Sequence, residues 1–205
     1  MKKTRYSEHP SVAIVEKWAA TLPEKTGRSL EEWIALVKKE GPSDEAAQRA
    51  WLKEKHKLGT NFAGAIAERA HGKSIGWEDG DPETYLRAAE GYVETMFAGS
   101  KAGLRPIYDA LLDVCLNLAP DVKACPCQTI VPLYRHHVFA QIKPTTRTRI
   151  DFGFALKDTA ATGKLIDTGG FAKKDRITHR IEVKALSDID AEFKHWLNVA
   201  YEMDA

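Results

Sequence analysis

Apolar residues recur at helical spacing from Val12 to Leu118 of this chain, and from Thr129 to Val183 they alternate instead. A period of 3.6 puts side chains on one stripe of a helix, whereas a period of two puts them on one face of a strand. The chain must therefore build helices first and a sheet afterwards, which makes the expected class α+β.

In the first half, Val12, Val15, Trp18, Ala19 and Leu22 mark one helix, interrupted at Pro23. Ser29-Leu30-Glu31-Glu32 is a capping box that opens a second, carrying Trp33, Ile34, Leu36 and Val37 and closed by Gly41. A third helix is expected behind Ser43, with Ala47, Ala50, Trp51 and Leu52 inward, and is expected to stop at a left-handed Gly59. Thr60 is read as the cap of a fourth, reaching Ala70. The last pair invites a helix-turn-helix reading. Its second helix, however, offers few side chains suited to base edges, and a helical hairpin that only packs is the expectation.

Glycines, acids and a proline crowd "HGKSIGWEDGDPET", the best linker in the chain. The organisation expected is a helical domain over 1–73, a linker over 74–82 and a sheet domain over 83–205. Asp81-Pro82 reads as cap and first residue of a further helix, and Leu104 to Leu118 as an amphipathic one with Pro106 in its first turn.

The alternating segments are Thr129–Val131, Val138–Ile142, Ile150–Leu156 and Ile177–Val183. They predict a four-stranded, mainly antiparallel sheet. Ile189, Phe193, Trp196, Leu197 and Ala200, with Ser187 read as cap, give a last helix whose apolar stripe must cover one face of that sheet. If Ile150, Phe152, Phe154, Ile181 and Val183 point inward, then Arg147, Arg149, Asp151, Arg180, Glu182 and Lys184 point out.

The motif "CPCQTIVPLYRHHVFA" holds two cysteines and two histidines, but Cys-x-Cys followed by adjacent histidines is not a usual zinc spacing, so no metal site is expected. Cys115 on an apolar helix face reads as a core thiol. "LIDTGGF" carries one Asp-Thr-Gly with no partner carboxylate and reads as a loop. No nucleophile-and-base motif, phosphate loop or dinucleotide fingerprint occurs, so no catalytic residue is assigned and no cofactor is implied.

No apolar run approaches the ~18 residues of a membrane span, and "MKKTRYSEHPSVAIVEKW" lacks a signal-peptide core, so a cytoplasmic location is expected. With a net charge of +1, any nucleic-acid surface has to be local. The candidate is the outward sheet face: Lys143, Arg147, Arg149, Arg180 and Lys184, with Tyr134 and Phe139 as stacking surfaces.

The strings "TGRSLEEWIALVKKEG", "WLKEKHKLGTNFAGAIAERA", "PTTRTRIDFGFALKD", "THRIEV" and "DIDAEFKHWLNVAYE" resemble bacterial proteins that join two families of unknown function, DUF 4287 at the N-terminus and DUF 5655 at the C-terminus. The resemblance implies a shared architecture and no established activity. It also implies that the cysteine pair is not required, since related sequences carry basic and apolar strand residues there. Similar sheet domains stand beside nuclease or defence modules in longer proteins, which points the same way as the basic face. The leading expectation is a non-enzymatic binding protein with nucleic acid as ligand. The alternative is a small-molecule enzyme or sensor with an inter-domain pocket, using His179, His137 or Asp151.

Overall fold

The computed structural model describes residues 4–72 and 81–205, which group into two compact units. The linker expected over 74–82 lies, apart from Asp81 and Pro82, outside the described residues.

Residues 8–85 form the helical unit, with α1 (Pro10–Thr26), α2 (Leu30–Glu40), α3 (Glu45–His56) and α4 (Thr60–Ala70). Helix α2 begins on the full capping box, Ser29 accepting from Glu32 N and Glu32 accepting from Ser29 N. Leu22, Trp33, Val37, Leu52 and Ile66 fill the core between the helices. Local capping differs from expectation at three places. Asp44 rather than Ser43 caps α3, through a bond from Ala47 N at 2.9 Å. The left-handed residue ending α3 is Lys57, not Gly59, while Gly59 is extended and precedes Thr60 as the N-cap of α4. The polar side chains of the α3–α4 hairpin serve each other, with Arg49 donating to Glu45 at 2.6 Å and to Glu68 at 2.7 Å.

Residues 86–205, joined by residues 4–7, form the second unit. It holds the C-terminal part of α5 (Pro82–Met96), a short 3-10 turn over Gly99–Leu104, α6 (Arg105–Leu116), the sheet and α7 (Ala191–Glu202). Burial pushes the thiol of Cys115, on the inward face of α6, well above its ordinary range, as fits a packing group.

The sheet is antiparallel throughout and has six strands rather than four, in the order β1-β2-β3-β4-β6-β5. The two additions are edge strands of two residues each, β1 (Lys123–Ala124) and β5 (Ile166–Asp167). Such short edges give a foreign strand little to pair with. The central strands are β2 (Val131–Tyr134), β3 (Val138–Lys143), β4 (Ile150–Phe154) and β6 (His179–Val183).

Helices α6 and α7 share one core with the inward row of the sheet. At its centre the Phe193 ring lies 4.7 Å from Phe152 and 5.8 Å from Phe154, edge to face. Helix α7 is capped by Asp190, which accepts from Phe193 N at 3.0 Å. Ser187, expected as that cap, sits instead in a 3-10 turn over Leu186–Asp188. Asp204 ties the end of α7 to the β2–β3 turn: its carboxylate accepts from the amides of His136 at 3.0 Å and His137 at 2.8 Å, and from Arg176 Nη2.

Truncating the aromatic contact tests this packing. Phe193→Ala is expected to destabilise the C-terminal unit by about 3–5 kcal/mol, read as an earlier urea midpoint. An unchanged midpoint would show that the ring cluster does not hold helix to sheet.

Candidate nucleic-acid interface

The register of the sheet fixes what its outward face presents. Lys143 pairs with Asp151 and Asp151 with Glu182, so these three side chains form one row across β3, β4 and β6. Gln141, Gly153 and Arg180 form the next row. Arg149 and Lys184 flank the first row on its other side, one residue beyond the paired Ile150 and Val183. All the residues expected to face inward on β4 and β6, namely Ile150, Phe152, Phe154, Ile181 and Val183, are fully buried.

Three of the five expected cations are tied into a lattice with the two carboxylates. Arg149 Nη1 and Arg180 Nη1 each lie 2.9 Å from Glu182 Oε1, and Lys184 Nζ lies 2.9 Å from Glu182 Oε2. Arg180 Nη1 is 3.0 Å from Asp151 Oδ1. Arg149 Nε is 2.9 Å from the same oxygen, off the hydrogen-bonding direction. Thr145 donates to Asp151 Oδ2 at 2.8 Å. The hydrogen bonds from Lys184 and Arg180 hold the Glu182 carboxyl down to about 2, and the bond to Glu182 raises Arg180 in turn.

Lys143 and Arg147 are different. Both are exposed and neither makes an ion pair among the described residues; Arg147 stands on the turn between β3 and β4. Lys143 and Thr145 also border a cleft of about 630 Å³ shared with Lys101, Ser100, Gln128 and Thr129. Lys101 Nζ is fixed there by the Pro144 carbonyl at 2.5 Å. Lys101 carried no sequence signal, since only the fold brings the 3-10 turn beside the end of β3.

Two expected stacking surfaces fare differently. Phe139 is fully buried, its ring 5.7 Å from Tyr201, and offers no surface to a base. Tyr134 is half-buried, and burial raises its hydroxyl to about 12.

Matching against protein-family models covers both units. A domain of unknown function, DUF4287, matches residues 15–72. A second, DUF5655, matches residues 93–204, more than half of the chain. The chain belongs to the DUF5655 family. No curated protein and no solved structure matches. The outward sheet face, the cleft at Lys143 and the Asp204 contacts therefore all fall inside the DUF5655 segment.

Within that DUF5655 segment the cysteines and histidines of "CPCQTIVPLYRHHVFA" stand apart. Cys125 N donates to the Pro132 carbonyl at 3.0 Å, beside the start of β2, whereas His136 and His137 lie past its end, at the β2–β3 turn. About 10 Å of strand separates the two ends of β2. Burial raises the Cys125 thiol to about 12 and the Cys127 thiol to about 11. Among the described residues no group of three or more His, Cys, Asp or Glu could hold a metal ion. The DUF5655 fold also keeps His179, His137 and Asp151 apart. His179 is buried on the inward face with Thr178 Oγ1 at 2.8 Å, Asp151 is outward, and His137 is at the hairpin tip. Among the described residues no helix is long and apolar enough to cross a membrane.

The lattice has a pH signature. Because Glu182 drops from its ordinary 4.5 to about 2 in the folded chain, its contribution is fully present above pH 4.5 and is lost as pH falls towards 2. Glu182→Gln should therefore melt below the parent at pH 7, with the gap closing as pH is lowered through that window. A gap that did not change with pH would show that the charge is not what Glu182 contributes.

Proposed function

We propose that the DUF5655 unit is a non-enzymatic binding module whose outward sheet face takes the phosphates of a nucleic acid. The observation that supports this reading best is an imbalance of charge held in fixed geometry. Lys143, Arg147, Arg149, Arg180 and Lys184 stand on or beside one face whose carboxylates are Asp151 and Glu182. The acids orient the arginines without cancelling the surplus, so a phosphate meets guanidinium groups already positioned. Lys143 and Arg147, exposed and outside the lattice, are the first cations an approaching backbone meets.

Exposed phosphate contacts make affinity fall steeply with salt. Labelled single-stranded and duplex oligonucleotides titrated with the protein at low and physiological salt give the direct measurement, by fluorescence anisotropy. Lys143→Glu with Arg147→Glu is expected to weaken binding at least about tenfold and to lower the salt slope by about 2. Its melting temperature should fall by only a few degrees, because neither residue belongs to an ion pair and the cost is confined to the negative charge set opposite Asp151. Binding that survives this double variant unchanged, or no binding at low salt, would overturn the assignment.

A further inference from the structure

A second cleft, of about 570 Å³, opens at the other end of β4 and β6 from Arg149 and Lys184. Ala155 and Thr178 form its floor, and Lys157, Phe171, Lys174, Arg176 and Met203 stand around it. Phe171 is 53% exposed and Met203 39%, so an apolar ring and a thioether face solvent side by side with cations. Among the described residues Asp175 is the one carboxylate in the lining.

The loop that carries Phe171 is built rather than loose. Thr168 N and Oγ1 both donate to the Thr178 carbonyl, at 3.0 and 2.8 Å, and Gly169 N donates to Asp167 at 2.7 Å. Lys173 N and Asp175 N close back onto the Gly170 carbonyl at 3.0 and 2.9 Å. A side chain at Gly170 would meet the Ile177 carbonyl at 2.5 Å, so only glycine lets the loop sit this close to the strand entry. The backbone therefore fixes the point at which the Phe171 side chain leaves the loop.

The cations are equally constrained. Arg176 is clamped by the Val138 carbonyl, at 2.8 Å from Nε, and by the buried Asp204 at Nη2, while Nη1 makes no hydrogen bond among the described residues. Lys157 and Lys174 both adopt left-handed backbone, with φ of 54° and 61°. A side chain in that region is disfavoured, and glycine would be the default there. Lys57 takes the same backbone simply as the cap ending α3, so what sets Lys157 and Lys174 apart is that both stand around one cleft.

The geometry points to a site for an aromatic phosphate, a nucleotide whose base stacks on Phe171 against Met203 and whose phosphate lies among Lys157, Lys174 and Arg176. Stacking needs an exposed ring, and phosphate recognition needs donors beside it, one of them oriented; Phe171 is the ring, and Arg176 is held in place in the same lining as the two lysines. Asp175 stands where it can accept from a sugar hydroxyl or a base amino group. The same chemistry is presented by a free mononucleotide or by one unpaired nucleotide of a strand. The site is separate from the sheet-face cations and is independent of what they bind.

Isothermal titration of the whole chain with adenosine monophosphate, adenosine and inorganic phosphate, alongside a short single-stranded oligonucleotide, decides the matter. The expected result is saturable binding of the mononucleotide or the oligonucleotide, with adenosine and phosphate each at least about tenfold weaker than the mononucleotide. Measured in the Lys143→Glu, Arg147→Glu background, so that the sheet face does not contribute, tighter oligonucleotide binding would assign the source to a strand, and equal or weaker binding to the free nucleotide. Phe171→Ala is expected to weaken binding about tenfold. Lys157→Gly with Lys174→Gly should abolish binding while leaving the melting temperature unchanged or higher, because glycine relaxes both left-handed positions. Lys143→Glu with Arg147→Glu should leave mononucleotide binding intact. Absence of binding by both nucleotide probes at millimolar concentration, or binding indifferent to the Phe171 and lysine variants, would overturn the site.

Discussion

Three phenylalanine rings join the last helix to the middle of the sheet, and the rest of the C-terminal unit is arranged around that contact. Phe152 and Phe154 stand two residues apart on β4, so their rings share a face, 4.9 Å centre to centre, and Phe193 closes over both. Burying such rings removes apolar area from water and adds the preference of aromatic edges for aromatic faces. Once α7 is fixed this way, one side of the sheet is dry. The alternation of β4 and β6 then leaves the polar side chains on the opposite face.

That opposite face shows how charge can be dense without being free. Each exposed ion pair on such a surface is worth little by itself. Sharing Asp151 and Glu182 among Arg149, Arg180 and Lys184 instead restricts the rotamers of all five side chains together. Gly153 extends the effect. A side chain there would meet the Ile177 side chain at 2.6 Å and Gln141 at 3.0 Å, so the missing Cβ lets Ile177 fold across the outer row. The outer surface is thus polar at its Lys143 side and partly covered by an aliphatic group near Arg180.

The sequence made the larger divisions legible because they rest on period. Helical spacing, the Ser29 capping box and the inward rows of β4 and β6 all stand in the structure where the residues place them. What escaped rests on shorter or longer range. Strands of two residues, Lys123–Ala124 and Ile166–Asp167, are below the length at which alternation can be seen, so a six-stranded sheet read as four. Ile177 shared its period with His179 and Ile181, yet strand pairing begins only at His179, and Ile177 lies on the outer side. The clefts were invisible for another reason: only the tertiary fold brings Lys101 and Lys143 to one cleft and Lys157, Phe171 and Met203 to another. The family match carries no activity with it.

The bonds to Asp204 set an order of events. The carboxylate that satisfies the β2–β3 turn lies 68 residues after His136 and 67 after His137. During synthesis the hairpin strands can pair well before that acceptor leaves the ribosome, since local pairs form early and distant ones late. Until then the two histidine amides remain with water, and the turn lacks its internal acceptor. Maturation of the sheet is thereby keyed to the arrival of the last helix, so a nascent chain stalled before Asp204 would hold a formed hairpin with an unfinished tip.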